Sequence, residues 1–218
     1  MDKFTHYTAI AVPFDIASID TNQLCPTRFN KKAKGPDFDG VLFHDLRFDQ
    51  SGAELPGFIL NRAPYRQAGI FVADRNFGCG SSRESAVYAL QEFGVHAVVA
   101  PSFGEIFYTN CLKNSLLPVV LDEAICADIR RQLHQQTGAE ITVDLMTQIV
   151  RDVGGNDHPF QIHPLRKQCL LEGLDDISLT ERYAAASAEF ETAYRRQFPW
   201  LTKPENQPSA SFGAASLT

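Results

Sequence analysis

Gly69-Ile70-Phe71-Val72-Ala73-Asp74-Arg75-Asn76-Phe77-Gly78-Cys79-Gly80-Ser81-Ser82-Arg83-Glu84 contains the change of rhythm that decides the fold. Residues 69–73 are a short apolar run with β-branched character and read as a buried strand. Residues 74–80 read as a glycine-rich turn, and residues 82–93 carry a helix-compatible pattern. A second unit of the same kind follows: residues 96–100 as a strand, Pro101-Ser102 as a break, and residues 103–113 as a helix whose Ser102 and Glu105 fit a capping box. Residues 117–121 give another strand, 122–136 another helix, and 140–150 a pair of short strands around Leu145-Met146. This alternation predicts an α/β domain built on a buried sheet.

Working outward, residues 7–14 read as the first strand. Residues 15–34 mix Asp, Asn, Pro and Lys without sustained periodicity and predict a long functional loop. The stretch 31–39, with Gly35, Pro36 and Gly40 in and beside it, continues neither helix nor strand and is expected to be mobile in the isolated chain. Towards the other end, Phe160-Gln161-Ile162 is expected to be a last strand. Residues 164–172 predict a helix with proline at its start and Gly173 at its end, and residues 179–198 a final alanine-rich helix. From Thr202 on, Pro204, Pro208, Ser209, Ser211, Gly213 and Ser216 accumulate with few large apolar side chains, which predicts a disordered tail. The expected organisation is one domain over residues 1–201, its last part helical, and a tail over 202–218. No internal repeat marks a solenoid.

The chain has 218 residues, 44% hydrophobic and 21% charged, the make-up of an ordinary globular protein with a full core. A net charge of -6 gives no general attraction to phosphate backbones or anionic membranes, so neither nucleic acid nor membrane is the expected partner. No apolar stretch approaches the ~20 residues that span a bilayer, and the N-terminus lacks a signal pattern. The expected location is the cytoplasm. Cys25, Cys79, Cys111, Cys126 and Cys169 stand far apart without a Cys-x-x-Cys pair, which reads as reduced thiols and argues against a metal cluster held by this chain alone.

Residues 76–84 concentrate the chemistry: two glycines, two hydroxyls, a cation and an acid where a helix begins. Glycines let backbone approach a ligand, a helix N-terminus offers N–H groups to an anion, and an arginine can grip a carboxylate with two parallel bonds. Two readings fit. One is an anion site suited to a small polycarboxylate; the other is a decorated helix start in which Ser81-x-x-Glu84 is a capping box. The second explains Ser81 and Glu84 but leaves Gly78, Gly80, Ser82 and Arg83 without a role. Cys79 inside the turn reads as a small filling residue, and the scattered histidines as surface or packing groups.

The same nine residues resemble the Asn-Phe-Gly-Cys-Gly-Ser-Ser-Arg-Glu-His motif of the small subunits of 3-isopropylmalate dehydratase and, more distantly, the swivelling domain of aconitases. Further segments agree in order. They are Asp20-Thr21-Asn22-Gln23-Leu24-Cys25-Pro26 with Arg28-Phe29, then residues 37–48, Phe58-Ile59-Leu60-Asn61, Ala100-Pro101-Ser102-Phe103, Ile106-Phe107, residues 114–118 and residues 173–180. The likeness runs over about residues 4–201.

The resemblance implies a swivelling β/β/α domain of the aconitase small-subunit type with a C-terminal helical extension. It implies a large partner subunit carrying a [4Fe-4S] cluster, with no cofactor bound by this chain, and a small 2-hydroxy-dicarboxylate as substrate. On it, Ser81 is the catalytic base, Arg83 binds a substrate carboxylate with Ser82 and Gly80 helping, and the loop after Pro26, with Arg28 and Lys31, faces the substrate's variable group. An apolar group there would favour Phe29, a third carboxylate a cation.

Two positions depart from the pattern. Ser85 stands where the motif has histidine, and Asn22 where a second aspartate is usual. They suit a divergent relative handling another 2-hydroxy-dicarboxylate, or a copy that has lost efficient catalysis. On the length of the match, the first expectation stays the small subunit of 3-isopropylmalate dehydratase, which interconverts 2- and 3-isopropylmalate by dehydration and rehydration in leucine biosynthesis. A related hydro-lyase subunit for homoaconitate, citraconate or methylmalate-type substrates, and a non-catalytic carboxylate- or phosphate-binding module, are the alternatives. RNA binding by analogy with aconitases is disfavoured by the acidic balance.

Overall fold

The structure, a computed structural model, describes residues 1–32, 34–35, 38, 40–80 and 82–201. Two stretches of parallel and antiparallel pairing meet on one strand. In β1 (His6–Pro13) residues 6–10 run antiparallel to β5 (Glu140–Asp144), while Ala11, Val12 and Pro13 run parallel to β2 (Ile70–Val72). Beyond β2 lie β3 (Ala97–Ala100) and β4 (Leu117–Val120), all parallel. Beyond β5 lie β6 (Ile149–Arg151) and β7 (Asp157–Pro159), antiparallel. The seven strands form one sheet in the order β4-β3-β2-β1-β5-β6-β7.

The strand period of two sorts side chains to the two faces. Phe71 and Val98 join Val12, Phe14, Phe43, Leu90 and Phe107 in one core, whereas Ile70, Val72, Ala97 and Val99 join Leu117, Ile129, Leu133, Ile141 and Val143 in the other. β2 and β3 are buried along their whole length, as parallel strands covered on both faces must be. The helices that cover them follow the strands: α3 (Ser85–Phe93), α4 (Glu105–Lys113) and α5 (Glu123–Gln135).

Most expected elements are present, with corrections that have local causes. The loop expected over residues 15–34 contains a helical turn, α1 (Thr21–Leu24), capped by Asp20, whose carboxylate accepts the N–H groups of Asn22 and Gln23 while Gln23 accepts that of Asp20. A 3₁₀ turn, Thr27–Phe29, follows, and α2 (His44–Arg47) comes later. Part of the stretch 31–39, expected to be mobile, lies outside the described residues. The last strand is Asp157–Pro159 rather than residues 160–162, because β7 closes a tight hairpin on β6 and Arg151 bonds Asp157 across it. α6 (Pro164–Glu172) keeps its expected bounds, ending on Gly173 in a left-handed conformation.

The final helix is two, α7 (Asp176–Glu181) and α8 (Ala184–Gln197), followed by a 3₁₀ turn, Pro199–Leu201. By internal packing the chain forms two units, residues 1–176 and 177–218. The second, as far as described, is these helices, with Phe190 stacked on Tyr194 in α8 and Tyr194 meeting Phe198 just after it at a tilt. The tail expected from Thr202 lies outside the described residues. Among the described residues no helix is long and apolar enough to cross a membrane.

Candidate active site

Three loops leave the C-terminal ends of the parallel strands, the end of an open α/β sheet where ligands bind. Those after β1, β2 and β3 are joined by short stretches of strand-like pairing. Gly78 N–H and Cys79 N–H both donate to Ile19 O, at 2.8 and 3.2 Å, and Thr21 N–H donates to Cys79 O at 2.9 Å. On the other side Phe77 N–H donates to Ser102 O at 3.0 Å and Gly104 N–H to Phe77 O at 2.9 Å. The loop after β2 is therefore held from both sides. Asn76, at φ 59°, adopts the left-handed conformation that asparagine tolerates, and donates its N–H to Ser102 Oγ at 2.8 Å.

Phe77 is the loop's anchor, buried edge-on against Phe103 and Phe107. Gly78 crosses the Phe107 ring so closely that a Cβ would lie 2.2 Å from its Cγ, and its φ of +72° also favours glycine. Beside the loop opens a cleft of about 200 Å³ bounded by Gly78, Gly80, Glu105 and Ile106. Cys79 points its sulfur at the carbonyls of Ser18 and Ile19, 3.4 and 3.7 Å away. Burial, and then the charge of Asp20, push its thiol up, so it fills the turn and is not an activated nucleophile.

Ser81, the expected base, lies outside the described residues. Its neighbours are placed: Gly80 at φ +99° beside Thr21, and Ser82 exposed, with its carbonyl accepting from Asn110 Nδ2 at 3.2 Å. Arg83 turns back across the loop after β1. Its Nη1 donates to Thr27 Oγ1 at 3.1 Å and its Nη2 to Asn22 Oδ1, while the Thr27 hydroxyl itself donates to Asn22 Oδ1 at 3.0 Å. Asn22 thus offers Arg83 an oxygen, as an aspartate would, without the negative charge.

The helix starts later than expected. α3 begins at Ser85 with Glu84 as its cap residue, and the Glu84 carboxylate accepts from the Tyr88 hydroxyl, pushing that phenol up to about 12. Glu84 therefore does not play its part in a Ser81–Glu84 capping box. Arg83, bonded to Thr27 and Asn22, sets a cation beside the glycine loop.

The structure brings Gly80, Ser82 and Arg83 to one place. Arg28, one residue from Thr27, commits its guanidinium to both oxygens of Asp45 and to His44 Nδ1, and Arg28 holds the Asp45 carboxyl below the usual carboxylate range. Lys31 is exposed. Sequence reasoning missed Thr27 as a contact residue of this region; Asn30, one of the residues of the loop after Pro26, accepts through Oδ1 from the Ser85 hydroxyl at 2.8 Å. The signal for Thr27 was a polar side chain next to Pro26. A larger cleft of about 560 Å³, between Arg75, Glu123 and Phe160, contains none of the expected site residues.

A model of the aconitase C-terminal domain matches residues 1–124. The 3-isopropylmalate dehydratase small subunit of Roseobacter denitrificans is 43% identical over 201 residues, 92% of this chain and 100% of that protein; that of Gluconacetobacter diazotrophicus is 44% identical over 203 residues, 93% of this chain and 98% of that protein. The 3-isopropylmalate dehydratase of Rhizopus niveus is 46% identical over 203 residues, 92% of this chain but 27% of that longer polypeptide. A crystal structure of 3-isopropylmalate dehydratase from Methanocaldococcus jannaschii shares the fold, with a TM-score of 0.60 at 22% identity over 84% of this chain and 99% of that one. The expected swivelling fold is the one this chain has. With its glycine loop, its sheet and its full-length relatives in agreement, the chain belongs to the aconitase C-terminal domain family, among the small subunits of 3-isopropylmalate dehydratase.

Proposed function

We propose that this chain is the small subunit of a 3-isopropylmalate dehydratase, a hydro-lyase that interconverts 2-isopropylmalate and 3-isopropylmalate in leucine biosynthesis and works only with a large partner subunit. One observation carries the reading. A glycine loop held from both sides delivers Arg83 to the Asn22–Thr27 pair, in a chain that matches small subunits along their full length. In the Rhizopus niveus relative the matched unit is 27% of one longer polypeptide, which supports assigning the rest of the machinery to a separate partner here.

Ser81 is assigned the base. As an alkoxide it takes the proton α to a carboxylate, the electron pair forms the double bond, and the hydroxyl leaves the neighbouring carbon with its bonding pair. Hydroxide then adds back with the opposite regiochemistry while the serine returns the proton to the other carbon, which restores the alkoxide. An unperturbed serine is too weak a base, so its alkoxide depends on nearby N–H donors and on the Arg83 charge in a site closed to water. Arg83 binds the substrate carboxylate, and the exposed Ser82 hydroxyl adds a donor.

Among the described residues no group of His, Cys, Asp and Glu could hold a metal ion, and Cys25, Cys111, Cys126 and Cys169 are buried free thiols. On the resemblance to aconitase-type enzymes, a [4Fe-4S] cluster is assigned to the partner, where it would supply the Lewis acid for the departing hydroxyl. The test is Ser81→Ala in the co-purified, cluster-loaded pair. The expected outcome is a fall in kcat of about 10²–10⁴-fold with complex formation intact. Turnover equal to that of the unaltered pair would overturn the assignment of the base.

A further inference from the structure

Three large apolar side chains stand exposed at the end of the sheet that presents the glycine loop. They are Ile16 in the loop after β1, at 51%, Ile106 in the first turn of α4, at 49%, and Val120 at the end of β4, at 43%. Strand pairing puts them there. Val120 pairs with Ala100, the residue before Pro101-Ser102, and Ser102 takes the N–H groups of Asn76 and Phe77. Ser18 N–H, two residues after Ile16, donates to Arg75 O at 2.9 Å, and Ile106 lines the cleft beside Gly78 and Gly80. The cleft of about 560 Å³ shares this junction: Pro101, Ser102, Val120, Ile125 and Pro159 line it, with the exposed ion pair Arg75–Glu123, at 3.6 Å, among its walls. Single exposed apolar side chains are ordinary, but several around one cleft with charged groups at its margin have the make-up of a protein–protein interface.

Two occupants compete for this face. A second copy of the chain seated here would also cover the glycine loop, closing the end of the sheet at which ligands of such folds bind. The large partner has to reach that same end, because the dehydratase reading has it complete the site there. In the Rhizopus niveus relative one polypeptide holds the matched unit, 27% of its length, together with the remainder, which favours the large partner as the neighbour.

We infer that the face formed by Ile16, Ile106, Val120 and the Pro101–Ile125–Pro159 cleft docks the large partner subunit. The cleft receives apolar side chains of that partner, and Arg75 and Glu123 meet its polar groups. The inference rests on the dehydratase reading above and adds to it the surface by which the two chains join.

The experiment titrates the cluster-loaded large partner into the unaltered chain, Val120→Asp, Ile16→Asp and Met146→Asp, reading the Kd of the complex and the sedimentation and thermal midpoint of each free chain. Met146 is the control: it is 61% exposed, and it follows β5, whose Asp144 pairs with His6 at the opposite end of β1. A charge forced into the docked face should weaken the complex by at least about 30-fold in Val120→Asp and in Ile16→Asp. Met146→Asp should stay within about twofold, and the free chains should keep their midpoints because all three positions are exposed. If Val120→Asp fails to fold, Ile16→Asp in its loop carries the comparison. Unchanged binding by the folded variants, or an equal loss in Met146→Asp, overturns the docking face and leaves the dehydratase reading standing. A free chain that sediments as a dimer, and as a monomer in Val120→Asp, gives the face to a second copy and overturns it too. An unaltered chain that forms no complex with the large partner overturns the dehydratase reading and this inference with it.

Discussion

Asp152 has a side chain with 0% exposure in the turn after β6. Burial alone would raise its pKa, but hydrogen bonds from His158, Asn156 and Gln132 outweigh that and hold it well below the usual carboxylate range. Because the folded pKa is depressed, the stabilisation is fully present above the unfolded value of about 3.9 and is lost as pH falls through the folded one. Asp152→Asn should therefore cost roughly 1–3 kcal/mol at neutral pH, from buried donors left poorly paired. The gap should narrow as denaturation midpoints are followed downward from about pH 4. A gap of constant size down to the acid limit would contradict this. Nothing in the sequence marked Asp152, since its partners come from α5, β7 and the turn before β7. The same holds for Arg83: its type and place were legible in the motif, but not its bonds to Asn22 and Thr27, which pairing of β1 with β2 brings together from 61 and 56 positions away.

Within the loop after β2, the two glycines are not equivalent. At Gly78 a methyl group would enter the Phe107 ring and the backbone would also be strained. At Gly80 the nearest atom to a new Cβ is Thr21 Oγ1 at 3.5 Å, leaving the strain alone. Gly80→Ala should cost about 1–2 kcal/mol, and Gly78→Ala that much plus an overpacking cost of about 1–3 kcal/mol. Equal losses in thermal midpoint would contradict the close approach to Phe107. The strands and helices around this loop were legible from apolar periodicity, to within three residues at their ends. Helix starts were less legible because hydroxyls have rival partners. Ser102 accepts from Asn76 N–H rather than capping α4, whose cap is Gly104, packed against Gly78. Likewise β7 was displaced from residues 160–162 by cross-strand bonds that no local pattern announces.

Taken whole, the chain brings three loops to one end of its parallel strands and offers an arginine and a glycine loop, while its described residues gather no metal-ligand cluster. The α/β class followed from strand and helix alternation; the family followed from collinear motifs over residues 4–201; and the need for a partner followed only from the resemblance, because a missing half leaves no periodicity to read. The glycine loop and Arg83 lie within residues 1–176, and the helices after them are a second unit. The most direct measurement of the central claim is an anaerobic absorbance assay for the unsaturated intermediate formed from 3-isopropylmalate. It should compare this chain alone, its cluster-reconstituted large partner alone, and the two combined. The account predicts turnover only in the combination, saturating as the two chains approach equal amounts. Turnover by the large partner alone, or a tight complex with none, would contradict it.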